Sequence, residues 1–241
     1  MTLAIAHRGV PRRFPENTLA SFAEALRLGA DMIELDVQRT QDGHIVVIHD
    51  EVVDRTSNGH GPVRSQTLAE LKSLDFGGWY DPRFAGERLP SLAEVIDLVR
   101  GKAQLNVELK TTSTFDPGFE AQLVKELKAA AFLDDCILSC FDHYALRAVR
   151  QEDPGVRLGA LYANGTGIAV DMARWADAQA LHPFFPFVTP ELVQTAHAAG
   201  VQVNVWTVDQ PVLAQMMLAY GVDGIITNSP DILQQVKAAQ A

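Results

Sequence analysis

The sequence predicts an α/β fold of the (β/α)8 type, that is, a TIM barrel with an inserted segment after the second strand. Short apolar runs alternate with amphipathic helical patterns along the whole chain, and repeated strand–helix units form a parallel sheet. Roughly eight such units fit into the 241 residues, which is the number that closes this barrel. A doubly wound open sheet is the competing arrangement, but the loop AHRGVPRRFPEN after the first strand lacks a glycine-rich phosphate-binding pattern.

The eight barrel strands are predicted from short apolar or alternating runs. They cover residues 3–7, 32–37, 105–110, 137–141, 157–162, 179–182, 202–207 and 224–227. The helical segments between them start at Asn, Asp or Thr and stop at glycines such as Gly29, Gly200 and Gly221. Asn17 and Thr18 are expected to cap the first helix.

Residues 51–90 break this alternation. The segment contains NGHGPV and FGGWYDPRFAGERLP, which are rich in turn-forming residues, and it is too long for an ordinary loop between a strand and a helix. A small extra strand is predicted directly before it, at 45–48. We interpret residues 51–90 as an insertion at the carboxyl-terminal face of the barrel, within one domain that spans residues 1–241.

The composition disfavours several classes of protein. Twenty basic against thirty acidic residues give a net charge of −10, which argues against a nucleic-acid or anionic-membrane binder. No apolar run approaches the ~20 residues of a membrane span, and MTLAIAHRG does not resemble a secretory signal. Cys136 and Cys140 form no metal-binding motif and are predicted to be reduced packing residues. We therefore expect a cytoplasmic protein, with no prediction of its oligomeric state.

Two acidic residues interrupt the second predicted strand. Glu34 and Asp36 alternate with Ile33, Leu35 and Val37, so both carboxylates lie on one side of the strand. Two carboxylates about 4 Å apart repel by about 4 kcal/mol at an effective dielectric constant near 20. On a solvated edge strand that repulsion would be screened, whereas inside a barrel the pair requires a cation.

The third predicted barrel strand, in LNVELK, repeats this pattern. Asn106, Glu108 and Lys110 share one face, and the apolar face can pack on helices only if the polar face points into the barrel, where unpaired charge is costly. Glu34, Asp36 and Glu108, without a nearby cysteine, form an all-oxygen site that suits one hard divalent cation, Mg²⁺ or Ca²⁺.

Basic and titratable residues accompany these carboxylates at the strand ends, where barrel active sites lie. His7 ends the first strand and His49 follows the extra strand, so both supply groups that titrate near neutral pH, as acid–base catalysis requires. Arg8 and Lys110 can offset the excess negative charge of the carboxylates. The site could then bind an anionic substrate.

The motifs stand in the order and spacing of a known family. They are HRG at 7–9, PENT at 15–18, IELDVQRTQDG at 33–43, IHD at 48–50, DRTSNGHGPV at 54–63, VELK at 107–110, and VWTVD and GVDGIIT near the end. Over essentially its whole length the chain resembles the glycerophosphodiester phosphodiesterase family, in its small bacterial-type, cytoplasmic form.

This resemblance implies a TIM barrel with an inserted segment. It also implies hydrolysis of a small-molecule glycerophosphodiester to sn-glycerol 3-phosphate and an alcohol, with a bound divalent cation. By motif match, the metal ligands would be Glu34, Asp36 and Glu108, the catalytic pair His7 and His49, the phosphate-holding residues Arg8 and Lys110, and the residue beside the glycerol Trp206.

Two other functions remain open at this point. One is another phosphodiester-cleaving barrel of the phospholipase or sphingomyelinase D kind, whose membrane-acting versions would need an export signal and an exposed apolar or basic surface. The other is a catalytically silent barrel that acts as a binding protein, which the presence of every expected site residue disfavours. The sequence does not assign the alcohol, the metal, the acid and base among the two histidines, or direct water attack against a cyclic intermediate.

Overall fold

The computed structural model describes residues 1–110, 116–165 and 167–238. Its strands are β1 Leu3–His7, β2 Met32–Arg39, β3 Ile45–Val47, β4 Gln104–Leu109, β5 Cys136–Cys140, β6 Arg157–Tyr162, β7 Ala180–Pro183, β8 Gln202–Val205 and β9 Gly224–Thr227. Its α-helices are α1 Leu19–Arg27, α2 Leu68–Ser73, α3 Leu92–Val99, α4 Phe119–Ala129, α5 His143–Glu152, α6 Ala169–Ala176, α7 Pro190–Ala198, α8 Pro211–Tyr220 and α9 Ile232–Ala238.

Eight of these strands form a closed parallel barrel. The strand order is β1, β9, β8, β7, β6, β5, β4, β2, and pairing of β1 with β2 closes the ring. The short strand β3 is antiparallel and lies on β2. A large cluster of buried apolar side chains fills the space between the strands and the helices. The predicted (β/α)8 barrel is confirmed.

Several strand ends differ from the predicted ranges. β2 continues two residues beyond the predicted end because Gln38 and Arg39 pair with Val46 and Ile45 of β3. This pairing places the residues after β3, including His49, beside the carboxyl end of β2. The end of β2 is therefore determined by its pairing with β3, which the local sequence pattern of β2 does not reveal.

The start of α1 corrects one expectation. Thr18 is the N-cap, since its side chain accepts a hydrogen bond from the Ser21 backbone N–H. Asn17 is not a cap: its backbone has a φ of 56°, and its side-chain amide donates to Asp36 Oδ2 at 2.8 Å. A short polar side chain tolerates this left-handed backbone conformation, which directs Asn17 into the barrel.

Residues 51–90 fold around a small apolar cluster. The segment contains α2 and two short 3₁₀ helices, Val63–Ser65 and Pro82–Phe84. Its buried side chains and two from the region of β3 form one cluster: Val46, Ile48, Val53, Val63, Leu71, Phe76 and Leu89. The segment therefore packs on β3, while its assignment as an insertion within a domain of residues 1–241 stays a prediction.

Two further features agree with the sequence. Cys136 and Cys140 are free thiols, and both are buried. In the part of the chain that the structure describes, each helix is too short or too polar to cross a membrane.

Candidate active site

Three carboxylates meet inside the carboxyl-terminal end of the barrel. β2 and β4 pair in a register that sets Asp36 opposite Glu108 and Glu34 opposite Asn106. One oxygen from each of Glu34, Asp36 and Glu108 lies within 4.8 Å of the others. All three residues are buried, with 3%, 0% and 9% of their surfaces exposed. The alternation of apolar and acidic residues on two paired strands produces this convergence.

Burial and mutual repulsion govern the protonation of this cluster. Burial, with the nearby Asp36 and Glu108 charges, raises the pKa of Glu34 well above its usual value. Burial and the Asp36 charge raise the pKa of Glu108 to about 7. Burial alone would raise the pKa of Asp36 as well, but Arg8 and Lys110 hold it below its ordinary value. Asp36 is therefore the member of the three that ionises most readily.

Two cations border the carboxylates. Arg8 Nε lies 3.2 Å from Asp36 Oδ2, and the Arg8 backbone N–H donates to Glu34 Oε2 at 3.0 Å. Lys110 Nζ lies 2.7 Å from Glu108 Oε1 and 3.5 Å from Asp36 Oδ1. These contacts balance part of the negative charge and direct both cations toward the interior.

The His7 ring is held at Nδ1 by the side-chain amide of Asn228, which is itself held by Asp209. Its Nδ1 lies 2.7 Å from Asn228 Oδ1, while the Asn228 amide nitrogen donates to Asp209 Oδ2 at 2.6 Å. Since Asp209 accepts from this amide nitrogen, the amide oxygen faces His7, and Nδ1 is the protonated nitrogen of a neutral His7 ring. The Nε2 atom is then left for proton exchange, 4.0 Å from Glu34 Oε2. Burial and the neighbouring Arg8 lower the pKa of His7 to about 4.

His49 is held differently, by a carboxylate. Its Nδ1 lies 2.7 Å from Asp50 Oδ1, and Gln38 Nε2 fixes this loop by donating to the backbone carbonyls of Ile48, His49 and Asp50. Burial lowers the pKa of His49, while the facing Asp36 carboxylate acts in the opposite direction. A carboxylate on Nδ1 fixes the ring orientation and stabilises the imidazolium form.

A cavity of about 250 Å³ joins these groups. Seven of the eight residues predicted for the site line it, namely His7, Arg8, Glu34, His49, Glu108, Lys110 and Trp206, and Asp36 is buried against Arg8 and Lys110. Phe141 packs edge-on against Trp206, with ring centroids 5.6 Å apart. The cavity therefore has a charged side and an apolar side. The roles assigned to its residues stay predictions.

The carboxylates fit a divalent cation. Their oxygens are the ligands that Mg²⁺ and Ca²⁺ prefer, and the pKa values of Glu34 and Glu108 are raised first by burial and then by the neighbouring carboxylates, so a bound cation would favour their ionised forms. Within the described residues, Asp36 Oδ1 accepts no hydrogen bond. These features do not favour Mg²⁺ over Ca²⁺.

Sequence reasoning missed the residues behind the two histidines. Glu16, Asp50 and Arg55 belong to the motifs PENT, IHD and DRTSNGHGPV, so a signal was present, although no role was assigned to any of them. Asn228 and Asp209 stand beyond the ends of β9 and β8. Asp209 ends the motif VWTVD, whereas Asn228 lies just outside GVDGIIT. Only closure of the barrel brings the two residues to His7.

The chain is similar to proteins of one family. The glycerophosphoryl diester phosphodiesterase family model matches residues 7–232. A glycerophosphodiester phosphodiesterase of Caldanaerobacter subterraneus subsp. tengcongensis is 48% identical over 96% of this chain and 96% of its own. Another of Bacillus subtilis is 33% identical over 98% of this chain and 86% of its own.

Solved structures agree with this relationship. A glycerophosphodiester phosphodiesterase from Agrobacterium tumefaciens superposes with a TM-score of 0.86 at 30% identity, covering 96% of this chain and 98% of that one. An Oleispira antarctica phosphodiesterase in complex with the product sn-glycerol 3-phosphate superposes with a TM-score of 0.87 at 28% identity, covering 98% and 95%. The chain therefore belongs to the glycerophosphoryl diester phosphodiesterase family of phosphoric diester hydrolases.

Proposed function

We propose that the protein hydrolyses glycerophosphodiesters to sn-glycerol 3-phosphate and an alcohol, with one divalent cation held by Glu34, Asp36 and Glu108 and with His7 and His49 as the acid–base pair. The observation that carries this proposal is a cavity lined by Glu34, Glu108 and both histidines, with an oxygen of the buried Asp36 within 4.8 Å of oxygens of the two glutamates. The family match and the product in the Oleispira antarctica relative support a small glycerol-containing substrate.

The charged side of the cavity suits a phosphodiester. A bound Mg²⁺ or Ca²⁺ supplies Lewis-acid stabilisation of negative charge on phosphoryl oxygens. Arg8 and Lys110 both line the cavity, and their donors can share that task, because preorganised cations in a site partly closed to water stabilise developing charge strongly. Trp206 and Phe141 provide an apolar wall for the carbon backbone of the glycerol.

The two histidines suit the two proton transfers that the reaction requires. One removes a proton from the attacking hydroxyl, of water or of the glycerol, and the other protonates the leaving alcohol. Each ring has Nδ1 anchored, by Asn228 for His7 and by Asp50 for His49, which leaves Nε2 to exchange the proton.

The proposal is tested by assaying purified protein on a panel of glycerophosphodiesters with choline, ethanolamine or glycerol as the alcohol. We expect turnover of at least one of them, loss of turnover in EDTA, and recovery when Mg²⁺ or Ca²⁺ is added in excess. Full activity in chelator-treated protein would exclude the metal. Absence of turnover on the whole panel with either ion would exclude the substrate class.

A further inference from the structure

We propose that Arg55, in the 51–90 segment, is a positioning residue for the reaction. It fixes the positions of the His49 and Arg8 side chains by binding two carboxylates, one beside each of them. The inference rests on the proposed function, because it assigns Arg55 a role through the proposed catalytic histidine. Arg55 itself is not among the residues that line the cavity.

The Arg55 guanidinium uses two edges. On one edge, Nε and Nη2 donate to Asp50 Oδ2 and Oδ1 at 2.6 and 3.1 Å. On the other edge, Nη1 and Nη2 donate to Glu16 Oε2 and Oε1 at 2.8 Å each. Two bidentate pairs on one guanidinium fix the separation and the orientation of the two carboxylates.

The first carboxylate leads to the proposed acid–base group. Asp50 Oδ1, which accepts from Arg55, is also the atom 2.7 Å from His49 Nδ1. Asp50 is the residue that orients the His49 ring, and its own side chain is held by Arg55. Without Arg55 the carboxylate could rotate about its side-chain bonds, and the ring would lose its fixed direction.

The second carboxylate leads to the phosphate side of the cavity. Glu16 Oε1 accepts from Arg8 Nη1 at 3.0 Å, and Arg8 Nε approaches Asp36. The Arg8 backbone has a φ of 51°, a conformation that an arginine adopts only when its surroundings hold it. Arg55 thus connects His49 and Arg8 by a continuous chain of charge-assisted hydrogen bonds.

The Arg55 side chain is also exposed, at 44%, but it differs from an ordinary surface ion pair of the same segment because its two carboxylate partners, 12% and 25% exposed, also contact Arg8 and His49. Arg83 also makes a bidentate contact, with Asp81 at 3.0 Å for both bonds, but its side chain is 78% exposed. Among the residues that the structure describes, the Asp81 carboxylate otherwise accepts only from the Arg83 backbone N–H. Exposed pairs of this kind contribute little. Arg83→Met is therefore a matched control that removes a guanidinium with no connection to the cavity.

The experiment is a double-mutant cycle on kcat with Arg55→Met and His49→Ala, measured on a glycerophosphodiester in saturating metal. Misplacement of a catalytic group by about 1 Å reduces rates by about 10²-fold, so we expect Arg55→Met to lower kcat by about 10- to 100-fold. In the His49→Ala background the same change should lower kcat by a clearly smaller factor, because only the contact that runs through Glu16 to Arg8 is still lost there. KM should rise in both backgrounds for the same reason. Arg83→Met should retain wild-type kcat and KM.

Arg55→Lys keeps the charge and guards against a folding defect in Arg55→Met. One ammonium group cannot hold two carboxylates in bidentate fashion, so we expect this variant to keep most of the kcat defect. Wild-type kcat in Arg55→Lys, or an equal loss of kcat in the wild-type and His49→Ala backgrounds, would overturn the positioning role while leaving the proposed function intact. Wild-type kcat in His49→Ala itself would overturn both the positioning role of Arg55 and the proposed acid–base role of His49. The kcat of this single variant therefore distinguishes the two failures.

Discussion

At the scale of single residues, the same carboxylate oxygens that suit a cation destabilise the fold without one. Glu34 and Glu108 have raised pKa values because burial and the Asp36 charge disfavour their ionised forms. A carboxyl group whose pKa is higher in the folded chain binds more protons there than in the unfolded chain, so it reduces stability as pH rises. The buried carboxylates of the site therefore lower the stability of the folded chain, as functional groups in active sites often do.

This destabilisation predicts the behaviour of Glu108→Gln. Between the ordinary Glu pKa near 4.5 and the raised pKa of about 7, folded wild-type protein in chelator loses up to about 1.4 kcal/mol of stability for each pH unit through this group. The variant lacks that loss, while the low pKa values of His7 and His182 affect both proteins alike. Urea denaturation in EDTA from pH 5 to 7.5 should show that the free energy of unfolding of the variant increases relative to that of wild type as pH rises. A decrease of this difference with rising pH would contradict the raised pKa of Glu108.

The two histidines lead to a second prediction at this scale. His7→Ala and His49→Ala should each lower kcat by about 10²-fold or more, because general acid–base groups contribute about 10²–10⁴. Both residues lie at strand or loop ends and are not in the central core, so thermal unfolding should remain within a few degrees of wild type. The measurement is steady-state kinetics in saturating metal. Either variant with near-wild-type kcat would remove that histidine from the mechanism.

At the scale of elements, the turn between β1 and α1 positions both a histidine and an arginine. Gly9 has a φ of 89°, and a Cβ there would lie 2.3 Å from Ser21 Oγ and 2.8 Å from the Ser21 carbonyl carbon. Ser21 Oγ accepts from the Val10 N–H at 2.7 Å and donates to the Arg8 carbonyl at 3.2 Å. The glycine thus lets the loop pack directly on the first turn of α1.

Gly9→Ala is expected to disturb this packing. A left-handed backbone conformation costs a residue with a Cβ about 1 kcal/mol, and overpacking adds about 1–3 kcal/mol. Gly43→Ala is the matched control, since Gly43 has a φ of 84° but no heavy atom within 4 Å of the added Cβ. Denaturant unfolding should show the larger loss for Gly9→Ala, with a fall in kcat that Gly43→Ala does not share. Equal losses would show that the Ser21 contact is unimportant.

Elements also show what the sequence can predict and why the rest escapes it. The convergence of Glu34, Asp36 and Glu108 follows from alternation on strands that a barrel places side by side, so it was predictable. The hydrogen bond from His7 Nδ1 to Asn228 Oδ1 joins residues separated by 221 positions. Its formation depends on the conformation of the loop after β9, which carries no periodic pattern. The Arg55 contacts depend on loops in the same way.

At the scale of the whole molecule, the carboxylates connect distant parts of the chain. Glu34 and Asp36 lie on β2 and Glu108 on β4, with the entire 51–90 segment between them. The unfolded chain therefore contains no preformed site. An ion that binds these residues binds the folded barrel alone, and its binding free energy becomes stability of the closed fold.

Metal should therefore raise the melting temperature. At a free ion concentration of about 100 times Kd the gain is about 2.7 kcal/mol, which for a chain of this length corresponds to about 5–10 °C. Mg²⁺ and Ca²⁺ are each titrated into chelator-treated protein and thermal unfolding is followed by circular dichroism. The shift should grow from pH 5 to pH 8, because the ion must displace the protons that Glu34 and Glu108 retain at low pH.

A double variant, Glu34→Gln with Glu108→Gln, should unfold at a higher temperature than wild type in EDTA and respond to neither ion. An equal shift in the double variant would place the ion elsewhere, and no shift in wild type with either ion would exclude these carboxylates as a metal site.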